Sequence, residues 1–112
     1  MSSLLSGLIL AVMLSFCAAK VQIGNFTCVN SETWPVTGDF KVKTVDVVFP
    51  EPYKTVPKVH LSIVHLDTDK TKTLRVKTYV SGITNTGFKA IFTTWYDSVV
   101  KTAIVSWLSI ES

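Results

Sequence analysis

The stretch Phe88-Lys89-Ala90-Ile91-Phe92-Thr93-Thr94-Trp95, residues 88–95, decides the fold together with its successor Thr102-Ala103-Ile104-Val105-Ser106-Trp107-Leu108-Ser109-Ile110, residues 102–110. Side chains alternate across an extended strand, so Phe88, Ala90 and Phe92 share one face while Lys89, Ile91 and Thr93 share the other. In the second run Ala103, Val105 and Trp107 oppose Ile104, Ser106 and Leu108 in the same way. Tyr96-Asp97-Ser98 separates the two runs. Toward the N-terminus the pattern repeats. Leu74 to Ser81 sets Leu74, Val76, Thr78 and Val80 against Arg75, Lys77 and Tyr79, and Asn85-Thr86-Gly87 is the turn that follows. Lys58 to Leu66 opens after Pro57, places Val59, Leu61 and Ile63 on one face, and ends in the polar turn Asp67-Thr68-Asp69-Lys70-Thr71. Val45 to Phe49 stops at Pro50-Glu51-Pro52, because proline has no ladder donor. Val21 to Ile23 adds an edge strand, and Trp34-Pro35-Val36-Thr37-Gly38-Asp39 reads as a loop. No window carries a helical stripe, and short strands at close spacing predict an all-β antiparallel sandwich.

The chain has 112 residues, 47% apolar and 17% charged, which suffices for one small domain and excludes a second one. Leu4 to Phe16 is almost uninterrupted in apolar and small residues and ends in Cys17-Ala18-Ala19, the pattern of a secretory signal peptide with its cleavage site. The run is shorter than the roughly 20 residues that span a bilayer, so membrane insertion is not expected. No lysine or arginine precedes Leu4, which leaves a retained anchor helix as the alternative. Residues 1–19 are thus expected to be removed, and residues 20–112 form the secreted domain of 112 − 19 = 93 residues. Cys28 is then the one cysteine of a chain sent to an oxidising compartment, which points to an interchain disulfide or a capped thiol. Asn25-Phe26-Thr27 is an N-glycosylation sequon, consistent with secretion.

The formal charge is +3, but the lysines are interleaved with acids and strand residues. No basic run is long enough to mark a nucleic-acid patch. Catalytic signatures are missing from the sequence as well: it holds no nucleophile elbow, no HExxH and no glycine-rich phosphate loop. His60 and His65 are five apart, so a regular strand points them to opposite faces and they share no metal. Asp67 and Asp69 lack the glycine and closing glutamate of a calcium loop and are expected to form the turn by bonding its backbone. Neither an enzyme nor a cofactor is expected.

Two features stand out. Arg75 is the single arginine among ten lysines, so either its planar fork of donors is needed or it is an ordinary surface residue. Thr94-Trp95-Tyr96-Asp97-Ser98 puts two aromatics where a strand meets a polar turn, and alternation predicts one of them in the core and the other exposed. An exposed ring beside a planar donor and a carboxylate suits a sugar, whose hydroxyls need fixed partners while its C–H face lies on the ring.

With those residues in view, the chain resembles the H-type lectin family from Lys20 to Glu111. The resemblance is carried by Val21-Gln22 with Gly24 and Cys28, Val48-Phe49 with Pro52-Tyr53, Pro57-Lys58-Val59, Leu61-Ser62-Ile63, Leu66-Asp67, Leu74-Arg75-Val76, Thr86-Gly87-Phe88-Lys89-Ala90, Thr94-Trp95 and Val105 to Glu111. It implies a six-stranded antiparallel β-sandwich that assembles as a homo-oligomer, a trimer or a dimer of trimers, with N-acetylgalactosamine sites at the seams. It gives Arg75 the sugar hydroxyls and Trp95 the sugar face, with Tyr96 standing where the snail agglutinin type has a histidine. Gly38 and Asp39 match a glycine and an aspartate supplied by the neighbouring chain. Lys101 replaces a tyrosine, which would shift preference toward an acidic glycan. Family disulfides involve positions that are Phe92 and Lys54 here, so a Cys28 bridge between chains or between trimers is what remains.

The expected function is therefore that of a secreted lectin for terminal N-acetylgalactosamine or galactose-type glycans, agglutinating cells through multivalency, with microbial coat recognition and adhesion as the role the family suggests. The alternative is a secreted structural or egg-fluid storage protein of the same fold with a degenerate sugar site, as Tyr96 and Lys101 would allow.

Overall fold

The computed structural model describes residues 20–112, and the expected signal peptide lies outside the described residues. Seven strands follow one another: β1 Lys20–Val29, β2 Val36–Thr37, β3 Phe40–Val48, β4 Lys58–Thr68, β5 Val76–Ser81, β6 Gly87–Trp95 and β7 Val100–Glu111, with a short 3-10 turn at Ser31–Thr33. They form two antiparallel sheets, one in the order β1-β7-β4 and the other β2-β3-β6-β5. The expected count of six strands is thus corrected to seven. The added strand is the two-residue β2, inside the stretch read as a loop, and it pairs Thr37 with Phe40 across the tight Gly38-Asp39 turn. Among the described residues no helix is long and apolar enough to cross a membrane.

The alternation read from the sequence governs the core. Phe88, Ala90 and Phe92 of β6 and Ala103, Val105 and Trp107 of β7 all point inward and are buried. Near one end of the sandwich Cys28, Trp34, Phe92, Val100, Ala103 and Val105 pack together, and near the other Phe49, Tyr53, Phe88, Ala90 and Trp107 do so. The segment between β3 and β4 is fastened by two backbone bonds, from the Phe49 and Tyr53 amides to the Thr86 and Asn85 carbonyls, and by side chains. Gln22 donates to the Glu51 carbonyl at 2.8 Å and accepts from the Glu51 amide at 2.9 Å, while the Tyr53 hydroxyl meets Ser109 Oγ at 2.5 Å. The Gln22 bonds satisfy the Glu51 backbone between the two prolines that forbid a strand.

Two readings are corrected by β4 and β1. A bulge between Ile63 and His65 inserts one residue, so His60 lies opposite Leu108 and His65 opposite Ile104. The extra residue restores parity, and both histidines sit on the outer face instead of on opposite faces. No group of three or more metal-ligating side chains exists among the described residues. Asp69 does form the turn, accepting from the Thr71 amide at 2.9 Å and the Thr71 hydroxyl at 2.7 Å, and these bonds lower its pKa. Asn25 of the sequon is on the exposed outer face of β1.

Cys28 faces inward on β1 and is only 1% exposed, so the interchain disulfide expected of an odd cysteine has no sulfur within reach of another chain. Burial raises its pKa, opposed in part by the charge of Lys43, and the thiol stays protonated and inert at neutral pH. Iodoacetamide is expected to spare Cys28 in the native protein and to modify it fully in denaturant, as read by intact mass. Rapid native alkylation, or a disulfide-linked dimer on a non-reducing gel, would contradict this placement.

Candidate functional site

Three segments separated in sequence meet at one end of the second sheet. The register places Trp95 opposite Phe40 and Thr94 opposite Val76, so the end of β6 lies beside the beginnings of β3 and β5. The Gly38-Asp39 turn, Arg75 and the Tyr96–Val99 connection therefore share that end.

Each segment is positioned by a local cause. Thr37 and Phe40 are joined by two residues, the first of which, Gly38, has φ +60. A two-residue hairpin with glycine first fits the type II′ turn, whose twist matches that of the strands. A side chain at Gly38 would meet open space, so the conformation and not crowding calls for glycine there. At the end of β6, Tyr96 adopts φ 61, unusual for an aromatic residue. This left-handed residue ends the strand and breaks its alternation. The expectation of one core and one exposed aromatic is corrected accordingly: Trp95 lies half-buried on the outer face, its ring 5.8 Å from that of Phe40, and Tyr96 is 75% exposed.

Arg75 precedes β5, and its backbone is held from both sides by buried hydroxyls. Its amide donates to Ser98 Oγ at 3.2 Å, and its carbonyl accepts from Thr94 Oγ1 at 2.6 Å. The guanidinium carbon lies 4.9 Å from the centre of the Tyr96 ring, within cation–π range. Nη1 stands 3.9 Å from an Asp97 carboxylate oxygen, an ion pair too long for a hydrogen bond, and it has no hydrogen-bond partner among the described residues.

A cavity of about 670 Å³ opens at this end, lined by Asp39, Trp95, Tyr96 and Asp97. Asp39, Trp95 and Tyr96 are thus brought together within a single chain, and Gly38 shapes the turn that carries Asp39. Arg75 stands one layer back, against Tyr96 and Asp97. Lys101 does not line the cavity, and its charge acts on Asp69 instead. Asp97, which the sequence offers only as a carboxylate beside the two aromatics, joins the lining, and Thr94 and Ser98 are unexpected supports of Arg75. The signal for all three was their place in the unbroken run from Thr94 to Ser98 around the two aromatics.

Two carboxylates, an indole and a phenol around an open hollow supply hydrogen-bond acceptors and flat apolar surface. No nucleophile with a neighbouring base is present in that lining. Such a wall is suited to hold a small polyhydroxylated molecule.

Comparison with known proteins bears on the same region. The family model for the H-type lectin domain matches residues 44–110. The open reading frame named "ATP synthase subunits region ORF 7" of Fuscovulum blasticum is 34% identical over 83 residues, covering 74% of this chain and 71% of that one. Discoidin II of Dictyostelium discoideum superposes with a TM-score of 0.73 at 23% identity, over 85% of this chain and 38% of its own length. The Pseudomonas phage phi297 tailspike gp61 matches at TM-score 0.56 and 8% identity, over 84% of this chain and 16% of the tailspike. The two structural likenesses concern the fold alone, and this chain spans well under half of either protein.

Proposed function

Because the chain belongs to the H-type lectin family, we propose that it binds terminal N-acetylgalactosamine or galactose on glycans outside the cell, without chemical conversion of the sugar. The observation that carries the reading is the cavity in which Asp39 and Asp97 face a wall of Trp95 and Tyr96, with the Arg75 guanidinium behind it. Asp39 accepts hydrogen bonds from sugar hydroxyls, Arg75 donates to them, and the C–H face of the ring lies on the aromatics. Charge-assisted bonds of both polarities discriminate an axial from an equatorial hydroxyl, because a misplaced hydroxyl leaves a polar partner unpaired.

An open site of this kind binds a single sugar weakly, so function rests on repetition. We assign the chain to a closed cyclic trimer, in which linked sites raise avidity by ~10²-fold or more and allow cells to be crosslinked. Support for an assembly comes from the outer face beside the cavity, where Phe40 and Tyr79 are exposed hydrophobic residues and Phe40 packs on Trp95. Secretion, with residues 1–19 as the leader, fits the accessible Asn25 of the sequon.

A glycan array with the purified protein, run with and without a chelator, tests the reading. Binding to terminal N-acetylgalactosamine or galactose that the chelator leaves intact is the expected result, since no cluster of metal-ligating side chains exists among the described residues. Silence across the array would favour a structural or storage protein of the same fold.

A further inference from the structure

The charge balance of the cavity goes beyond the presence of a sugar site. The lining residues carry two carboxylates, Asp39 and Asp97, and no cation. Arg75, the cation in contact with two of the lining residues, is engaged from two sides: Tyr96 covers its guanidinium at 4.9 Å, and Asp97 faces its Nη1 at 3.9 Å. Asp97 therefore offsets the charge of the guanidinium behind the wall, and Asp39 is left in the lining without a paired cation among the described residues. Lys101, which the sequence offered as a source of positive charge, acts on Asp69 and is not part of the lining.

We propose that Asp97 is a specificity-determining residue that makes this site select neutral sugars and reject sulfated or sialylated ones. The proposal rests on the sugar-binding reading above and reverses the acidic preference that Lys101 suggested. An anionic substituent entering the cavity meets two carboxylates before it meets the guanidinium, whereas a neutral hydroxyl donates to either carboxylate. Removing the Asp97 charge leaves its shape nearly unchanged, keeps the Arg75 donors available to sugar hydroxyls, and brings the Arg75 and Asp39 charges into balance.

The test compares a neutral terminal N-acetylgalactosamine probe with the same sugar carrying a sulfate ester, by titration calorimetry on the full protein and on Asp97→Asn. The wild-type protein is expected to prefer the neutral probe by about ten-fold, and Asp97→Asn to narrow that ratio by a similar factor. High salt should narrow the wild-type ratio too, because repulsion at an open site is screened. Asp97→Glu, which keeps the charge, is expected to retain the preference, separating an electrostatic role from mere support of the turn. Equal or tighter binding of the sulfated probe by the wild type overturns the proposal, as does an unchanged ratio in Asp97→Asn. If the wild type binds neither probe nor any other sugar, the sugar-site reading fails and this inference falls with it.

Discussion

Trp107→Ala is expected to cost about 3–5 kcal/mol of folding stability, a large part of the total that a domain of this size has. The indole is buried on the inner face of β7, 5.6 Å from the ring of Phe88 and 5.9 Å from that of Phe49, and joins both sheets. Its cross-strand neighbours are Gly24 on β1 and Leu61 on β4. Gly24 is small for a reason, since a Cβ there would stand 2.6 Å from the indole. The space around Trp107 is therefore shaped to it on three sides, and β-strand backbones joined by ladder bonds cannot close over the void that alanine would leave. Urea titration followed by fluorescence measures the loss, with Trp95→Ala as the contrast. Trp95 lies on the outer face, so its removal should change stability far less while removing the wall of the cavity. Similar losses in the two variants would mean that the core is not centred where Trp107 places it.

Trp107 also shows what the sequence discloses, and residues 20–44 show what it withholds. Trp107 was legible because its run alternates cleanly, and the inward set of Ala103, Val105 and Trp107 is the one observed. From Val45 onward every expected strand exists, for the same reason. Residues 20–44 resisted, because there the pattern is inverted. On β1 the outward residues include Val21, Ile23 and Val29, with Ile23 70% exposed, while the inward positions hold Gln22 and Gly24. Gln22 faces inward to bond Glu51, and Gly24 to admit Trp107, so specific contacts displaced hydrophobicity as the signal of the buried face. On β3 the half-buried Lys41 and Lys43 blur the period in the same manner. The Val64 bulge in β4 was hidden too, since one inserted residue leaves no mark in composition yet reverses the face on which His65 lies. At the site, residue types were legible, and their grouping followed from the ladder. Only the register of β3 and β5 on β6 brings Asp39 and Arg75 to the end where Tyr96 turns.

Arg75→Ala is expected to weaken binding of the preferred sugar roughly 100-fold, through loss of a charge-assisted donor, and to abolish agglutination, where each site must hold for the linkage to persist. Folding should be nearly untouched. The side chain is about a third exposed (36%), its ion pair with Asp97 is long at 3.9 Å, and such pairs contribute little to stability. The backbone bonds from Ser98 and Thr94 do not need the side chain and persist in the variant. Arg75→Lys sharpens the argument. It keeps the charge but loses the planar fork and the stacking on Tyr96, so a requirement for geometry predicts a large loss, whereas a requirement for charge alone predicts a small one. Thr94→Val keeps the charge and the fork and frees only the carbonyl of Arg75, so a smaller loss in that variant would trace affinity to how firmly the guanidinium is held. Calorimetry with the monomeric sugar, beside a thermal melt of each variant, separates the two effects. Unchanged affinity in Arg75→Ala would assign recognition to Asp39 and Asp97 with the aromatic wall alone, and would leave Arg75 as the counter-charge that lets Asp97 stand beside Tyr96.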